Sequence, residues 1–415
     1  CNLPRFCRRN TTGSPRAQRM TEHPKNMTPS LVGTDRLTRE PFLLLFIGLF
    51  ATAVGQAFVF AILPPLGRSV GLDELRITAI ISTSALVFTL VAPFWGRFSD
   101  HIGRKPIIII GLLGYSFGSL VFAILFNAAA EGWISGLTLF ITALVIRSLQ
   151  SATMSATHPG CTAYAADHTS PQFRVKTLAR LSSANSIGLI MGPVLAGAVA
   201  GWGLLAPLVV ASFLSGLAAL IIALKLSPGA APRAVKTPRR RMGYFDVRVR
   251  MYLISAIGAF SGFAMIQQTL AFRLQDTLNL SGIETAQHTG WAMMASAAST
   301  LLMQFTVAQR YTGSPIHLVR SGAALLFCGA VLISALESWQ AVMSSMALIG
   351  AGLGLLMPAV AAGASVAVGP EEQGAVAGLV SACPAAGFVV GPISGGFLYQ
   401  HSPTAAAWTA APLLL

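Results

Sequence analysis

Beyond the first forty residues, long apolar stretches alternate with short polar ones along the whole chain. The stretches fall at about 42–63, 77–95, 107–126, 133–157, 178–200, 204–226, 251–272, 289–308, 319–336, 340–362 and 375–398. Each approaches the roughly 20 residues that carry an α-helix across a bilayer core. Their apolar residues run all round rather than along one stripe, as a lipid-facing helix requires. The pattern predicts eleven membrane-spanning helices. A twelfth apolar run opens at Ala405. Its eleven residues would make roughly 16 Å of helix, about half a bilayer, so the twelfth span is expected to be truncated.

The polar segments divide the chain. Residues 1–40 carry eight Lys/Arg and three acids and lack the apolar core of a signal peptide, so they read as a disordered tail. The longest internal polar stretch, 227–250, is Pro-rich and basic and follows the sixth span. It reads as a linker between a bundle over 41–226 and a second over 251–415. An internal repeat supports the division. Gly188-Leu-Ile-Met-Gly192-Pro193 recurs 199 residues later as Gly387-Phe-Val-Val-Gly391-Pro392, and Gly197 maps onto Gly396 at the same displacement. The copies fall in the fifth and eleventh spans. Two parallel six-helix repeats are a transporter architecture. The fold class expected is therefore an all-α integral membrane protein of two pseudo-symmetric six-helix bundles.

Composition agrees. Of the 415 residues, 54% are hydrophobic and 10% charged, with a mean hydropathy of +0.67. Soluble domains are roughly 25% charged, so a water-soluble enzyme is excluded. The net charge of +14 could suggest a nucleic-acid binder, but its distribution says otherwise. With the N-terminus placed in the cytoplasm, 24 Lys/Arg fall in inside segments and three outside, at Arg68, Arg76 and Arg273. That asymmetry follows the positive-inside rule, and no nucleic-acid partner is expected. The five cysteines show neither metal-ligand nor redox spacing.

One base remains, Arg147, in the middle of the fourth span with Gln150 three residues on. A mid-membrane Arg costs at least about 2.5–3.5 kcal/mol unless it faces a cavity or partner, so it is a candidate functional group by default. All 14 acids lie in tails, loops or helix ends. A cation bound at the midplane would lack a counter-ion, and a neutral or anionic substrate is the more consistent one. Gln56, Asn185, Gln267, Gln268 and Gln304 are the other polar candidates for a central cavity, although a buried amide singly is more often structural. No phosphate-binding loop, HExxH motif or paired catalytic carboxylates occur, so neither an enzyme nor a cofactor is expected.

The loop between the second and third spans reads Gly96-Arg-Phe-Ser-Asp100-His-Ile-Gly103-Arg104-Lys105-Pro106. Its glycines permit a tight turn, and Asp100 sits among bases at a membrane edge. The pattern resembles the signature of the major facilitator superfamily. The Gly-Pro motif of the fifth span resembles that of its drug:proton antiporter branch, the multidrug- and tetracycline-resistance-like proteins. The resemblance implies that Gly96, Asp100, Gly103, Arg104 and Lys105 gate the inside face by latching the two halves. It implies that Arg147 with Gln150 takes part in proton transfer, and that the Gly-Pro bends seal the centre. Two departures stand out: His101 replaces the usual base, and Ser151 replaces the Gly usual after that Gln.

The expected function is proton-coupled export of a small hydrophobic neutral or anionic compound by alternating access. Its partners would be that substrate, protons and the lipid bilayer, with the protein a monomer in the cell membrane. The alternatives are proton-symport uptake of an organic anion or nutrient, and a non-transporting membrane protein.

Overall fold

The structure, a computed structural model, describes residues 37–228, 246–369 and 372–413. The tail therefore lies outside the described residues up to position 36, and the linker does so over 229–245. Thirteen α-helices occur among the described residues: α1 (Arg39–Ser69), α2 (Glu74–Ile102), α3 (Arg104–Ala130), α4 (Gly136–Met154), α5 (Thr157–Asp167), α6 (Pro171–Ala200), α7 (Ala206–Lys225), α8 (Arg250–Leu278), α9 (Gly282–Met303), α10 (Pro315–Ala335), α11 (Trp339–Val366), α12 (Gln373–His401) and α13 (Ala405–Leu413). Eleven stretches are long and apolar enough to cross a bilayer, with α4 and α5 making one of them and α9 running on through a π-helical turn at 304–308. Those eleven are the predicted spans.

The helices outrun the apolar windows, and three of them, α2, α9 and α11, start at a capping side chain. Asp73 accepts from the Arg76 N–H at 2.8 Å to start α2. Ser281 and Glu284 form a reciprocal capping box at the start of α9. Gly103, at φ +92°, is the single residue between α2 and α3. That left-handed backbone, natural only for glycine, lets one helix end where the next begins. The sequence reading differs from the structure after Met154. The sequence places residues 158–167 in the loop after the fourth span, yet they form all but the first residue of α5. Packing explains it: Cys161, Tyr164 and Ala165 are buried in an apolar cluster with Leu44, Leu45 and Ile108 of α1 and α3.

The helix pairings repeat. In the first set α1 packs on α6 and α7, α3 on α4 and α7, and α2 on α4. In the second α8 packs on α12 and α13, α10 on α11 and α13, and α9 on α11. Each set closes its own apolar core, and the set from α8 to α13 supplies one cluster entirely by itself. Across the sets, α6 packs on α9 and α12 on α2.

These crossings occur at one end. We call the end bearing Arg97, Arg104 and Arg248 the basic end, and the opposite one the far end. Gly197 meets Ala286 and Gln287, and Gly396 meets Thr78, all in the far halves of their helices. Towards the basic end α2, α6 and α9 expose side chains, among them Leu90, Phe94, Arg180 and Leu302. The two sets are thus joined at the far end.

Candidate functional site

Among the described residues Arg147 is the largest fully buried side chain. Its Nη1 donates to Gln150 Oε1 at 2.5 Å, one helical turn along α4. Its Nη2 reaches across to α1 and donates to Gln56 Oε1 at 2.7 Å. Gln150 in turn donates through Nε2 to Ser119 Oγ at 2.6 Å and to the Tyr115 carbonyl at 3.2 Å, both on α3. Small residues make the convergence possible. A Cβ at Gly118 would lie 2.6 Å from Gln150 Cγ, and the ring of Tyr115 occupies the space beside Gly55.

The electrostatics are one-sided. Every hydrogen-bond partner of the guanidinium is neutral, and Arg147 Nε and the Tyr115 hydroxyl have no partner. A hydrogen bond to a charged group contributes about 1.5–3 kcal/mol. Two such bonds offset the cost of at least about 2.5–3.5 kcal/mol of placing an Arg at mid-membrane. They leave a fixed positive charge with N–H groups to spare.

The other polar candidates do not join this network. Asn185 is half-buried on α6. Gln267 is half-buried on α8 with its carbonyl oxygen unpaired, and the adjacent Gln268 is fully buried with both amide atoms unpaired. Gln304 opens the π-helical turn, accepting from the Gln309 N–H at 3.1 Å. The structure thus brings together Arg147, Gln150 and Gln56 and sets the remaining four amides elsewhere. Sequence reasoning missed Ser119, Tyr115 and Gly118, which no local pattern singles out.

At the junction of α2 and α3, Arg104, the first residue of α3, organises the cluster. Its Nη1 pairs with Asp100 Oδ1 at 2.7 Å, its Nε with Asp167 Oδ2 of α5 at 2.9 Å, and it also bonds Ser99 Oγ. Gly96 faces Pro159 of α5 at ordinary contact distance. Among the described residues Lys105 has no ion pair. All these partners belong to α2, α3 and α5, so in this state the cluster braces helices of the first set.

The Gly-Pro repeats occupy matching places. A Cβ at Gly188 would lie 2.6 Å from Ala53 Cβ of α1, and Gly192 faces Ala57. A Cβ at Gly387 would lie 2.5 Å from Phe260 Cβ of α8, and one at Gly391 2.5 Å from the Ser261 carbonyl. Small residues four apart thus let α6 close on α1 and α12 on α8. Beyond each motif the helix turns to the other set. A Cβ at Gly197 would lie 2.9 Å from Gln287 Cα, and one at Gly396 2.9 Å from Thr78 Cβ. The prolines sit at the same seam. A Cβ at Gly290 would lie 2.6 Å from the Pro193 carbonyl. Next to Pro392, where a proline disturbs the helical ladder, the Ile393 N–H donates to Ser82 Oγ at 2.9 Å.

Two repeated helical sets joined at one end, with a charged side chain buried inside, are the architecture of a membrane transporter. The chain belongs to the Major Facilitator Superfamily, whose sequence profile matches residues 45–392. It is 29% identical over 364 residues to "Multidrug resistance protein 1" of Bacillus subtilis (strain 168), covering 86% of this chain and 89% of that one. It is 27% identical over 384 residues to "Tetracycline resistance protein, class G" of Vibrio anguillarum, covering 88% and 91%. Among solved structures, a bacterial homologue of the human lysosomal transporter Spinster, inward-facing and unoccupied, superposes with a TM-score of 0.72 at 17% identity over 87% of this chain and 82% of that one. The human organic anion transporter MFSD10 (TETRAN) gives 0.61 at 19% identity over 91% and 97%.

Proposed function

We propose that this transporter exports a small hydrophobic compound, neutral or anionic, in exchange for protons. The observation that carries the reading is Arg147: a guanidinium with no exposure, held by two neutral amides, with an N–H left over. Buried fixed charge in a membrane protein marks a substrate or ion path by default. Here the charge is positive, and every acid among the described residues lies at a helix end or in a loop. Such a site repels cations and accepts an anion or the negative end of a dipole. The names of the bacterial relatives, which describe resistance to drugs and tetracycline, support export as the direction. We assign the basic end, the residue-1 tail and the Arg104 cluster to the cytoplasm on the charge asymmetry, in a multi-pass cell-membrane protein acting as a monomer. In this arrangement the Gly-Pro seams of α6 and α12 are the surfaces on which the two sets rock.

The test is accumulation of labelled compounds in inside-out vesicles. Neutral and anionic compounds accumulate when a proton gradient is imposed, and a protonophore abolishes it. Accumulation that persists after the gradient collapses refutes proton exchange. Cationic compounds carried in preference to neutral ones refute the substrate class. A tag at the residue-1 end, open to protease in inside-out but not right-side-out vesicles, checks the orientation separately.

A further inference from the structure

At the far end a charged cluster joins helices from both sets. Arg68 lies in the last turn of α1. Its Nη1 donates to Asp276 Oδ1 of α8 at 2.7 Å and its Nη2 to Asp276 Oδ2 at 3.0 Å, a fork-to-carboxylate pairing between residues 208 positions apart. Its Nε and Nη2 also donate to Glu74 Oε1 of α2 at 3.0 and 2.5 Å. Tyr399 of α12 donates its hydroxyl to Asp276 Oδ2 at 2.6 Å. The guanidinium carbon lies 4.7 Å from the centre of the Phe272 ring. Phe272 and Tyr399 are buried with Leu66, Ile77 and Ala286 in one apolar cluster, so the charges rim a dry seal.

The distribution of partners is what a separable joint requires. Arg68 has one carboxylate in its own set, Glu74, and one in the other, Asp276. Asp276 has Arg68 across the seam and Tyr399 within its own set. If the far end parts, the forked pair breaks, yet Arg68 keeps Glu74 and Asp276 keeps the Tyr399 hydroxyl. Neither charge is stranded, which is the outcome that makes breaking a part-buried pair costly. A purely structural anchor has no use for this duplication. We propose that Arg68 and Asp276 form the far-end latch of the transport cycle, made when that end is shut and broken when it opens, with Glu74 and Tyr399 holding the separated charges. They are positioning residues for transport, distinct from the Arg147 network. The inference rests on alternating access and not on the substrate, the proton coupling or the orientation proposed above.

The test is a cysteine at Thr78, which is fully buried in the far-end seam against Gly396. It is placed in the full chain with the native cysteines replaced. Labelling by a maleimide is followed in nanodiscs, where both faces are open to the reagent, so the result is independent of orientation. Arg68→Gln and Asp276→Asn each raise the labelling rate roughly tenfold, as expected when the open population grows by that factor. Arg76→Gln, which breaks only the local pair with Asp73, leaves the rate unchanged. Tyr399→Phe takes away the partner that Asp276 keeps when the latch opens and leaves the Arg68–Asp276 pair of the shut state in place, so it slows transport without raising labelling. Should Arg68→Gln fail to fold, Asp276→Asn keeps the side-chain shape and carries the same expectation. Labelling in Asp276→Asn no faster than in Arg76→Gln overturns the latch. Faster labelling in Tyr399→Phe overturns the role of the holding partner.

Discussion

The bond between Arg147 and Gln56 spans α1 and α4, and its strength can be isolated. In Gln56→Leu the charge stays buried and Nη2 loses its acceptor. A hydrogen bond to a charged group is worth about 1.5–3 kcal/mol, so folding stability falls by about that amount with nothing returned. Arg147→Met removes the charge itself. It loses two such bonds, about 3–6 kcal/mol, but recovers at least about 2.5–3.5 kcal/mol of mid-membrane burial. Its net effect on stability is therefore small compared with the bonds it deletes, and replacing buried ionic groups by apolar ones is often neutral. In the double variant two apolar side chains face each other, and the Gln56→Leu change no longer strands a donor. The double-mutant cycle should return a coupling of about 1.5–3 kcal/mol. The assay is reversible unfolding in mixed micelles for all four proteins, with transport measured alongside. Both single variants lose transport if the guanidinium acts in the cavity. Stabilities additive to within about 0.5 kcal/mol would mean the two residues do not interact, and would refute the network as described. Full transport by a stably folded Arg147→Met would refute its functional role.

Gly118→Val places methyl groups where Gln150 lies, the added Cβ alone falling 2.6 Å from Gln150 Cγ. Overpacking of this kind costs about 1–3 kcal/mol, so unfolding should begin at lower denaturant and transport should fall, with Gly378→Ala, which has open space around it, as the unaffected control. Gly290→Leu drives a side chain into the Pro193 carbonyl across the far-end seam, so transport should fall while the labelling of a Thr78→Cys probe rises. At the start of α8, hydrogen bonds from the Arg248 side chain and backbone hold the Asp246 carboxyl down at about 2, below its ordinary value of 3.8. A depressed carboxylate adds stability above its unfolded value and loses it as pH falls through the folded one. Carboxyl-carbon NMR should place the Asp246 midpoint near 2, and Arg248→Gln should return it towards 3.8.

Most of the architecture was legible because the membrane imposes it. A span must satisfy its own backbone and show lipid an apolar surface, and both demands write themselves into runs of some twenty residues. The same logic made Arg147 conspicuous as the one base inside such a run. What the sequence hid is whatever depends on packing. Residues 158–167 are too polar and too broken by Pro159 and Gly160 to advertise a helix, and only burial of Cys161, Tyr164 and Ala165 against α1 and α3 makes them one. Ser119 and Tyr115 look like ordinary span residues until Gln150 arrives from α4. Gln267, conspicuous as a polar residue, is not drawn into the Arg147 network, because α8 belongs to the other set.

The far end shows the same limit with a larger consequence. In the sequence Arg68 and Asp276 are two charges near the ends of apolar runs, and a count of bases by side treats Arg68 as one of three minor exceptions. The rule that governs such counts concerns insertion, and it weighs a charge by which side of the bilayer it reaches. It is blind to which charges meet after the two sets have packed. The α2–α3 junction around Asp100 is rich in charge and carries a recognisable motif, yet its ion pairs in this state stay within α2, α3 and α5. The far end has fewer bases and no motif, yet one of its three arginines, Arg68, bridges both sets. Charge density along a chain therefore marks where a membrane protein is anchored. Where it is held shut depends on which few charges find partners across the seam, and here that is Arg68.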